Sequence, residues 1–236
     1  TSSTGIESMM FDVRNLLACI FIVYGLFGLF QQKGMMRILA GVLTAAGAAF
    51  LIGMFPDAGF VQKVDAPIFQ QFNACFVVML TPVSIAIFST LGKIGKEPKA
   101  PVKIGLGMLV AAIAYLIMTM GSIGLPAPAY AADGSNLHMA DATPNLLVST
   151  YLILTFAELL LSPIGISFVT KVAPPKYKGM MMGGWFVSTA IGNFLVQIPG
   201  YLWGKDLYIV WGTLMVICIV AAIFIFSIIK KLNKVA

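Results

Sequence analysis

The chain has 236 residues, of which 59% are hydrophobic and only 10% are charged, and its formal net charge is +6. Soluble domains average about 25% charged residues and have too little interior to bury so much apolar side chain, so a soluble fold is excluded. The basic excess does not indicate a nucleic-acid partner, because the cations lie in short segments between apolar runs, where membrane proteins carry orientation signals. The composition therefore predicts an all-α membrane protein that crosses the lipid bilayer several times.

Seven apolar runs follow one another along the chain. Most of them reach the ~20 residues that cross ~30 Å of hydrocarbon, and none alternates with the period of two that a barrel strand would show. We therefore expect seven spanning helices. The runs cover residues 15–30, 36–55, 72–92, 102–125, 145–170, 180–203 and 207–230.

Basic residues are concentrated in alternate loops. Twelve of the 15 lysines and arginines lie around the junctions between runs one and two, three and four, and five and six, or at the end of run seven, and the other three are Arg14, Lys63 and Lys205. Because basic loops stay on the cytoplasmic side, we predict that these four segments, including the C-terminus, are cytoplasmic. The twelve are Lys33, Arg37, Lys93, Lys96, Lys99, Lys103, Lys171, Lys176, Lys178, Lys230, Lys231 and Lys234.

Run five contains Glu158, the acidic residue that lies clearly within a span. A charged side chain at the bilayer centre costs about 2.5–3.5 kcal/mol on insertion scales, and such residues mark ion or substrate paths by default. Helical spacing aligns it with Tyr151, Thr155, Ser162 and Gly165 in a polar or small stripe, which predicts an interior surface rather than a lipid-facing one. The alternative is a protonated glutamate that bonds to a neighbouring helix.

Run six carries a ridge of small residues, Gly184, Ser188 and Gly192, which predicts a close approach of another helix. Trp185 stands beside this ridge, deep in the run, and could either pack against a helix or form an aromatic pocket wall. The sequence contains no serine–histidine pair, acidic dyad, phosphate loop or metal-ligand spacing. We therefore predict that the protein is not an enzyme and binds neither a metal nor a cofactor.

The stretch AELLLSPIGISFVTKVAPPKYKGMMMGGWFVSTAIGNFL, residues 157–195, resembles helices ten and eleven of the proton-dependent oligopeptide transporters, a branch of the major facilitator superfamily. The family pattern has a Glu-Leu, a Ser-Pro-x-Gly, a Val-Thr-Lys-x-Ala-Pro and a Met-Met-Gly-x-Trp-Phe, and all four occur here in that order. They are Glu158–Leu159, Ser162–Gly165, Val169–Pro174 and Met181–Phe186.

Residues 69–82 resemble the family's eighth helix more loosely. Asn73 fits the pattern, but Ala74 replaces the usual proline. Run two would be the seventh helix, and it lacks the acid or amide that family members usually carry there. This departure leaves open whether coupling through that helix is altered.

The resemblance implies a division of the chain into two parts. Residues 36–236 would form the C-terminal six-helix bundle, which is helices seven to twelve of a major facilitator superfamily transporter, and residues 1–35 would form a tail and one accessory helix. The N-terminal six-helix half of the same protein would be missing, and the chain begins at Thr1 rather than at a methionine.

The resemblance also implies roles for single residues. Glu158 would bind the peptide amino terminus and take part in proton coupling, Ser162 and Trp185 would line the pocket, and Asn73 would contact the peptide backbone. Pro163 and Gly165 would belong to a gate, at a point where the helix can bend.

The implied function is proton-coupled symport of di- and tripeptides by alternating access in a bacterial inner membrane, driven by the proton gradient. The expected partners are the peptide, protons, the bilayer and the missing half, with no nucleic acid. Two alternatives remain. One is a related facilitator for amino acids, nitrate or another small solute, and the other is a non-transporting membrane scaffold or enzyme subunit.

Overall fold

The computed structural model describes residues 2–3, 10–54, 62–63, 69–125, 127, 129–130, 136–138, 144–202 and 204–232. Lys234, which was predicted to be cytoplasmic, lies outside the described residues. The described helices are α1 (Val13–Gln31), α2 (Met35–Met54), α3 (Gln70–Lys93), α4 (Ala100–Gly121), α5 (Pro144–Val172), α6 (Lys178–Leu195), α7 (Gln197–Leu202) and α8 (Leu207–Leu232), with a 3-10 turn at Pro175–Tyr177.

Two antiparallel pairs of very short strands accompany these helices. β1 (Ser2–Ser3) pairs with β2 (Gln62–Lys63), and β3 (Ala129–Tyr130) pairs with β4 (Asn136–His138). The first pair joins the segment before α1 to the segment between α2 and α3. The second pair lies within the loop between α4 and α5, where the sequence predicted a non-helical connection.

Seven helical segments in the described part of the chain are long and apolar enough to cross a membrane, which confirms the predicted number. The sixth runs from Pro175 to Leu202 and comprises the 3-10 turn, α6 and α7. Its mean hydropathy is 1.2, the lowest of the seven, because glycine and polar residues interrupt it. α5 has 29 residues and is therefore about 43 Å long, which exceeds the ~30 Å hydrocarbon thickness.

Contacts group the chain into two units, Thr1–Glu97 and Pro98–Ala236. The first unit holds α1 to α3, and the second holds α4 to α8. α1 packs along α2 within the first unit, across the predicted boundary after residue 35. A distinct functional role for residues 1–35 stays a prediction.

Small residues bring α1 and α2 together in the first unit. A Cβ on Gly25 would collide with the Thr44 side chain and would lie 2.7 Å from the carbonyl oxygen of Ala40. A Cβ on Gly47 would lie 2.9 Å from the carbonyl oxygen of Ala18. Both positions therefore require glycine, and the two backbones approach more closely than larger side chains would allow.

α1 and α3 begin at the same end of the first unit. The ring of Phe11 meets the ring of Phe72 edge-on at 5.6 Å, and Gln71 Nε2 donates a hydrogen bond to the Phe11 carbonyl oxygen at 3.1 Å. Asp12 caps α1 and accepts hydrogen bonds from Arg14, which hold the pKa of the Asp12 carboxyl below its usual value. Successive spans cross the membrane in opposite directions. α1 and α3 are two spans apart, so they are expected to begin at the same end.

In the second unit α4 lies against both α5 and α8. A Cβ on Gly107 would lie 3.1 Å from the carbonyl oxygen of Ala157 on α5, and a Cβ on Gly105 would lie 2.9 Å from the ring of Phe226 on α8. α6 and α7 have no buried residue, and α6 contacts α5. The buried apolar residues of this unit are Ala112, Ala114, Met118, Val148, Ala157, Leu160, Ala173, Val210 and Ala222.

We expect Gly25→Ala to lower the free energy of unfolding by about 1–3 kcal/mol, because the added methyl overpacks the α1–α2 contact. Gly53→Ala in α2 is the matched control, since a Cβ at Gly53 meets nothing within 4 Å. Thermal unfolding of the purified protein in detergent measures both variants. Equal melting temperatures for the two would contradict the close approach of α1 and α2.

Candidate functional site

The predicted polar stripe on α5 divides into a buried and an exposed part. Thr155 is only 1% exposed, and its hydroxyl donates a hydrogen bond to the Tyr151 carbonyl oxygen at 2.7 Å. Glu158 and Ser162, one and two turns further along, are both exposed. The stripe is therefore not one uniform surface. Thr155 packs inside the second unit, Glu158 and Ser162 are open, and Gly165 at the end of the stripe is buried again.

Glu158 presents its carboxylate without a bonding partner in the part of the chain that the structure describes. No hydrogen bond or ion pair joins it to any described residue. The alternative was a glutamate bonded to a neighbouring helix. Among the described residues, no helix supplies such a bond to Glu158. The carboxylate is available to an incoming cation or proton on this face of α5.

Pro163 lies inside α5, which stays helical from Pro144 to Val172. A proline within a helix lacks the N–H that would bond to the carbonyl four residues earlier, and its ring crowds that carbonyl. Here that carbonyl belongs to Leu159. Pro163 is exposed, as is Ser162 directly before it, so the weakened turn lies beside the open part of the stripe. Its predicted role in a gate is not tested.

Trp185 and Gly165, which the sequence analysis placed in different roles, are in direct contact. The Trp185 indole packs onto the Cα of Gly165, and its Cζ2 and Cζ3 atoms both lie 2.9 Å from the place a Cβ would occupy. The structure thus gives Gly165 a steric role that the sequence did not reveal, because only glycine leaves room for the ring. Trp185 itself is half-buried.

The small ridge on α6 has no helix packed against it among the described residues. A Cβ on Gly184 or on Gly192 would meet nothing within 4 Å, and the hydroxyl of Ser188 donates to the carbonyl oxygen of Trp185 in its own helix at 2.7 Å. The predicted close approach at this ridge was therefore wrong for this part of the molecule. The reason is geometric. α6 contacts α5 through Trp185, whose side chain points about 100° around the helix from the position of Gly184.

The structure brings together only some of the predicted site residues. Glu158 and Ser162 share the open face of α5, and Trp185 contacts the same helix two turns after Glu158. Asn73 belongs to the first unit, where it is half-buried on α3. Three of the four predicted binding residues thus belong to the second unit, on α5 and α6.

Lys103 was predicted to lie in a loop, but the structure places it in a helix. It lies in the first turn of α4, is 9% exposed and counts among the buried residues. Pro101 is the signal that could have shown this, because proline favours the first positions of a helix and here starts α4 before Lys103. Among the described residues no group of three or more histidine, cysteine, aspartate or glutamate side chains could hold a metal ion.

We expect Gly165→Ala to destabilise the protein by about 1–3 kcal/mol, because its methyl group would occupy the space of the Trp185 ring. Trp185→Ala combined with Gly165→Ala should recover part of that loss, since the ring is then absent. Gly184→Ala is the control, because a Cβ there is unobstructed. A double-mutant cycle of thermal unfolding measures the coupling. Strictly additive effects would contradict the contact.

Comparison with known families and structures agrees with the resemblance seen in the motifs. The model of the POT family (PTR2) matches residues 38–200. The "Di-/tripeptide transporter" of Lactococcus lactis subsp. cremoris is 34% identical over 135 residues, which is 55% of this chain and 24% of that protein. The "Peptide transporter YePEPT" of Yersinia enterocolitica is 27% identical over 207 residues, which is 81% of this chain and 39% of that protein.

Solved structures show the same fold. A crystal structure of the peptide transporter POT in complex with sulfate matches with a TM-score of 0.60 and 23% identity, and the match covers 95% of this chain and 42% of that one. A POT family transporter in complex with a thioalcohol-conjugated peptide matches with a TM-score of 0.56 and 22% identity over 95% of this chain and 40% of that one.

The chain thus spans between 24% and 42% of the lengths of these relatives and structures. The fold matches confirm the prediction of an all-α membrane protein, because this chain shares the helical fold of those structures. Because the family model covers more than half of the chain, the chain belongs to the POT family.

Proposed function

We propose that this chain is the C-terminal part of a proton-coupled symporter of di- and tripeptides. The observation that carries the proposal is the exposed Glu158 carboxylate, which has no bonding partner among the described residues although it lies within a membrane span. An intramembrane carboxylate costs free energy, so it is retained where it binds a cation or a proton. Family membership and the names of the bacterial relatives support peptides as the substrate class.

Glu158 would bind the substrate ammonium group or a proton. A low dielectric strengthens the attraction between a carboxylate and a cation, so either partner lowers the cost of holding the charge inside the membrane. Both cannot neutralise the same carboxylate at once. The protonation state of Glu158 would therefore be linked to the binding of the peptide amino terminus.

The other predicted binding residues would each have a separate role. Ser162 follows Glu158 by one turn on the open face of α5 and would offer its hydroxyl as a hydrogen-bond partner. Trp185 would form an aromatic wall, and Asn73 on α3 would contact the peptide backbone through its amide. Pro163 would allow α5 to bend beside the site during gating.

Transport would need the rest of the protein. Alternating access moves two bundles against each other around a site near the bilayer midplane, and this chain supplies one bundle. The missing N-terminal half would be its partner. The basic loops would face the cytoplasm of a bacterial cell, the proton gradient would supply the driving force, and no cofactor or catalytic step would take part.

A related facilitator with another substrate is a second candidate, and one observation favours it. α2 contains neither a glutamate nor a glutamine between Met35 and Met54, where members of the peptide family usually carry one. Competition for uptake separates the two candidates. Inhibition by dipeptides supports peptide transport, and inhibition by single amino acids or nitrate alone would exclude it.

We expect Glu158→Gln to abolish proton-driven dipeptide uptake by the complete transporter in proteoliposomes, because the amide can neither bind a proton nor neutralise an ammonium group. Counterflow, which needs no net proton movement, should partly survive. Glu97→Gln is the matched control, since Glu97 is an exposed glutamate outside the spans. Undiminished acid-driven uptake by Glu158→Gln would exclude a coupling role for this carboxylate.

We also expect proteoliposomes that contain only these 236 residues to accumulate no labelled dipeptide. The physical reason is that a single bundle lacks the opposing wall that alternating access requires. The measurement is the uptake of a radiolabelled dipeptide under an inward proton gradient, with protein-free liposomes as the baseline. Saturable uptake above that baseline would refute the assignment of this chain as half of a transporter.

A further inference from the structure

An open groove of about 500 Å³ runs between α1 and α2 on the surface of the first unit. It extends along α1 from Tyr24 to Gln32 and along α2 from Met36 to Ala46. Gly28 and Ala40 form its floor because they keep the two helices close and leave space beside the contact. Apart from the phenol of Tyr24 and the amide of Gln32, the lining is apolar. The groove is therefore suited to a hydrocarbon chain.

The length of the groove corresponds to one leaflet of a bilayer. With a helical rise of 1.5 Å per residue, the ten steps from Met36 to Ala46 span about 15 Å, which is half of the ~30 Å hydrocarbon thickness. One end lies at the turn between α1 and α2, which is an end of both spans. The other end lies about halfway along α2. A lipid acyl chain has this reach, whereas a partner helix would pack along the whole span.

Cations stand at the end of the groove where a headgroup would lie. Lys33 directly follows Gln32, Arg37 directly follows Met36, and both are exposed. In the described residues neither of them forms an ion pair, and α1 and α2 contain no aspartate or glutamate. Gly34, with φ of +65°, makes the tight turn that keeps the two cations near each other. The groove mouth is therefore positively charged without a compensating acid on these helices.

We propose that this groove binds an anionic phospholipid, with one acyl chain between α1 and α2 and the headgroup phosphate at Lys33 and Arg37. Basic sites between spanning helices on the cytoplasmic side attract anionic headgroups, and each Lys or Arg near the surface adds to the attraction. Burial of the chain's methylene groups along the groove supplies the apolar part of the affinity. The site is independent of peptide binding, because all of its residues belong to α1, α2 and their turn.

Native mass spectrometry of the purified protein in detergent tests the charge at the groove mouth. Phosphatidylglycerol and phosphatidylcholine with identical acyl chains are titrated separately, and glycerol phosphate serves as the headgroup without a chain. We expect one tightly bound phosphatidylglycerol, weaker phosphatidylcholine binding, and a roughly tenfold loss of phosphatidylglycerol affinity in Lys33→Gln/Arg37→Gln. Lys93→Gln/Lys96→Gln removes the same charge from another exposed basic loop of this unit and should leave the affinity unchanged.

The apolar part of the site is tested by filling the groove. Ala46→Phe places a ring at its deep end and should also weaken phosphatidylglycerol binding, while Ala45→Phe, an exposed position outside the lining, should not. Thermal unfolding verifies that each variant is folded. Equal binding of the two lipids, equal losses in both charge variants, or glycerol phosphate binding as tight as that of the lipid would overturn the proposal. So would a loss of dimers rather than of lipid in Ala46→Phe, which would assign the groove to a second copy.

Discussion

The structure depends on close helix approach at glycines. Between spanning helices there is no hydrophobic driving force, because the lipid is as apolar as the side chains, so packing at small residues has to hold the helices together. Gly107 lets the backbone of α4 reach the carbonyl of Ala157, and this contact sets the rotation of α5. Each residue advances about 100° around a helix, so Glu158 is turned away from α4 and towards the open side. The exposure of the carboxylate thus follows from a glycine on another helix.

The sequence was sufficient for those features that composition and periodicity determine. Seven spans could be predicted because each must present some twenty apolar residues to the bilayer, and such a run can be recognised directly in the sequence. Their ends were less accurate, as Lys103 shows, because a proline at a helix start and a lysine with a long apolar stem allow a charged residue inside the first turn. The fold class followed from motifs between Glu158 and Phe186, which are specific enough to identify the family.

The local surroundings of the site could not be predicted from periodicity. Helical spacing states that Thr155 and Glu158 share a face, but it does not state which neighbour covers each turn, and the structure buries the first and exposes the second. The same limit explains the error at the α6 ridge around Gly184. A small-residue pattern permits a close contact without specifying which helix makes it, and the contact on α6 is instead made by Trp185.

The contact of Trp185 with Gly165 links the proposed pocket to the position of a helix. α6 has no buried residue and leans on α5, so the ring over Gly165 is its principal anchor among the described residues. A bulky ring that fills the space above a glycine cannot turn to another rotamer without moving one of the two backbones. If Trp185 contacts the peptide as proposed, a change in the ring on binding must therefore shift α6 relative to α5. Pro163 weakens the backbone hydrogen bonding of α5 two residues before this contact.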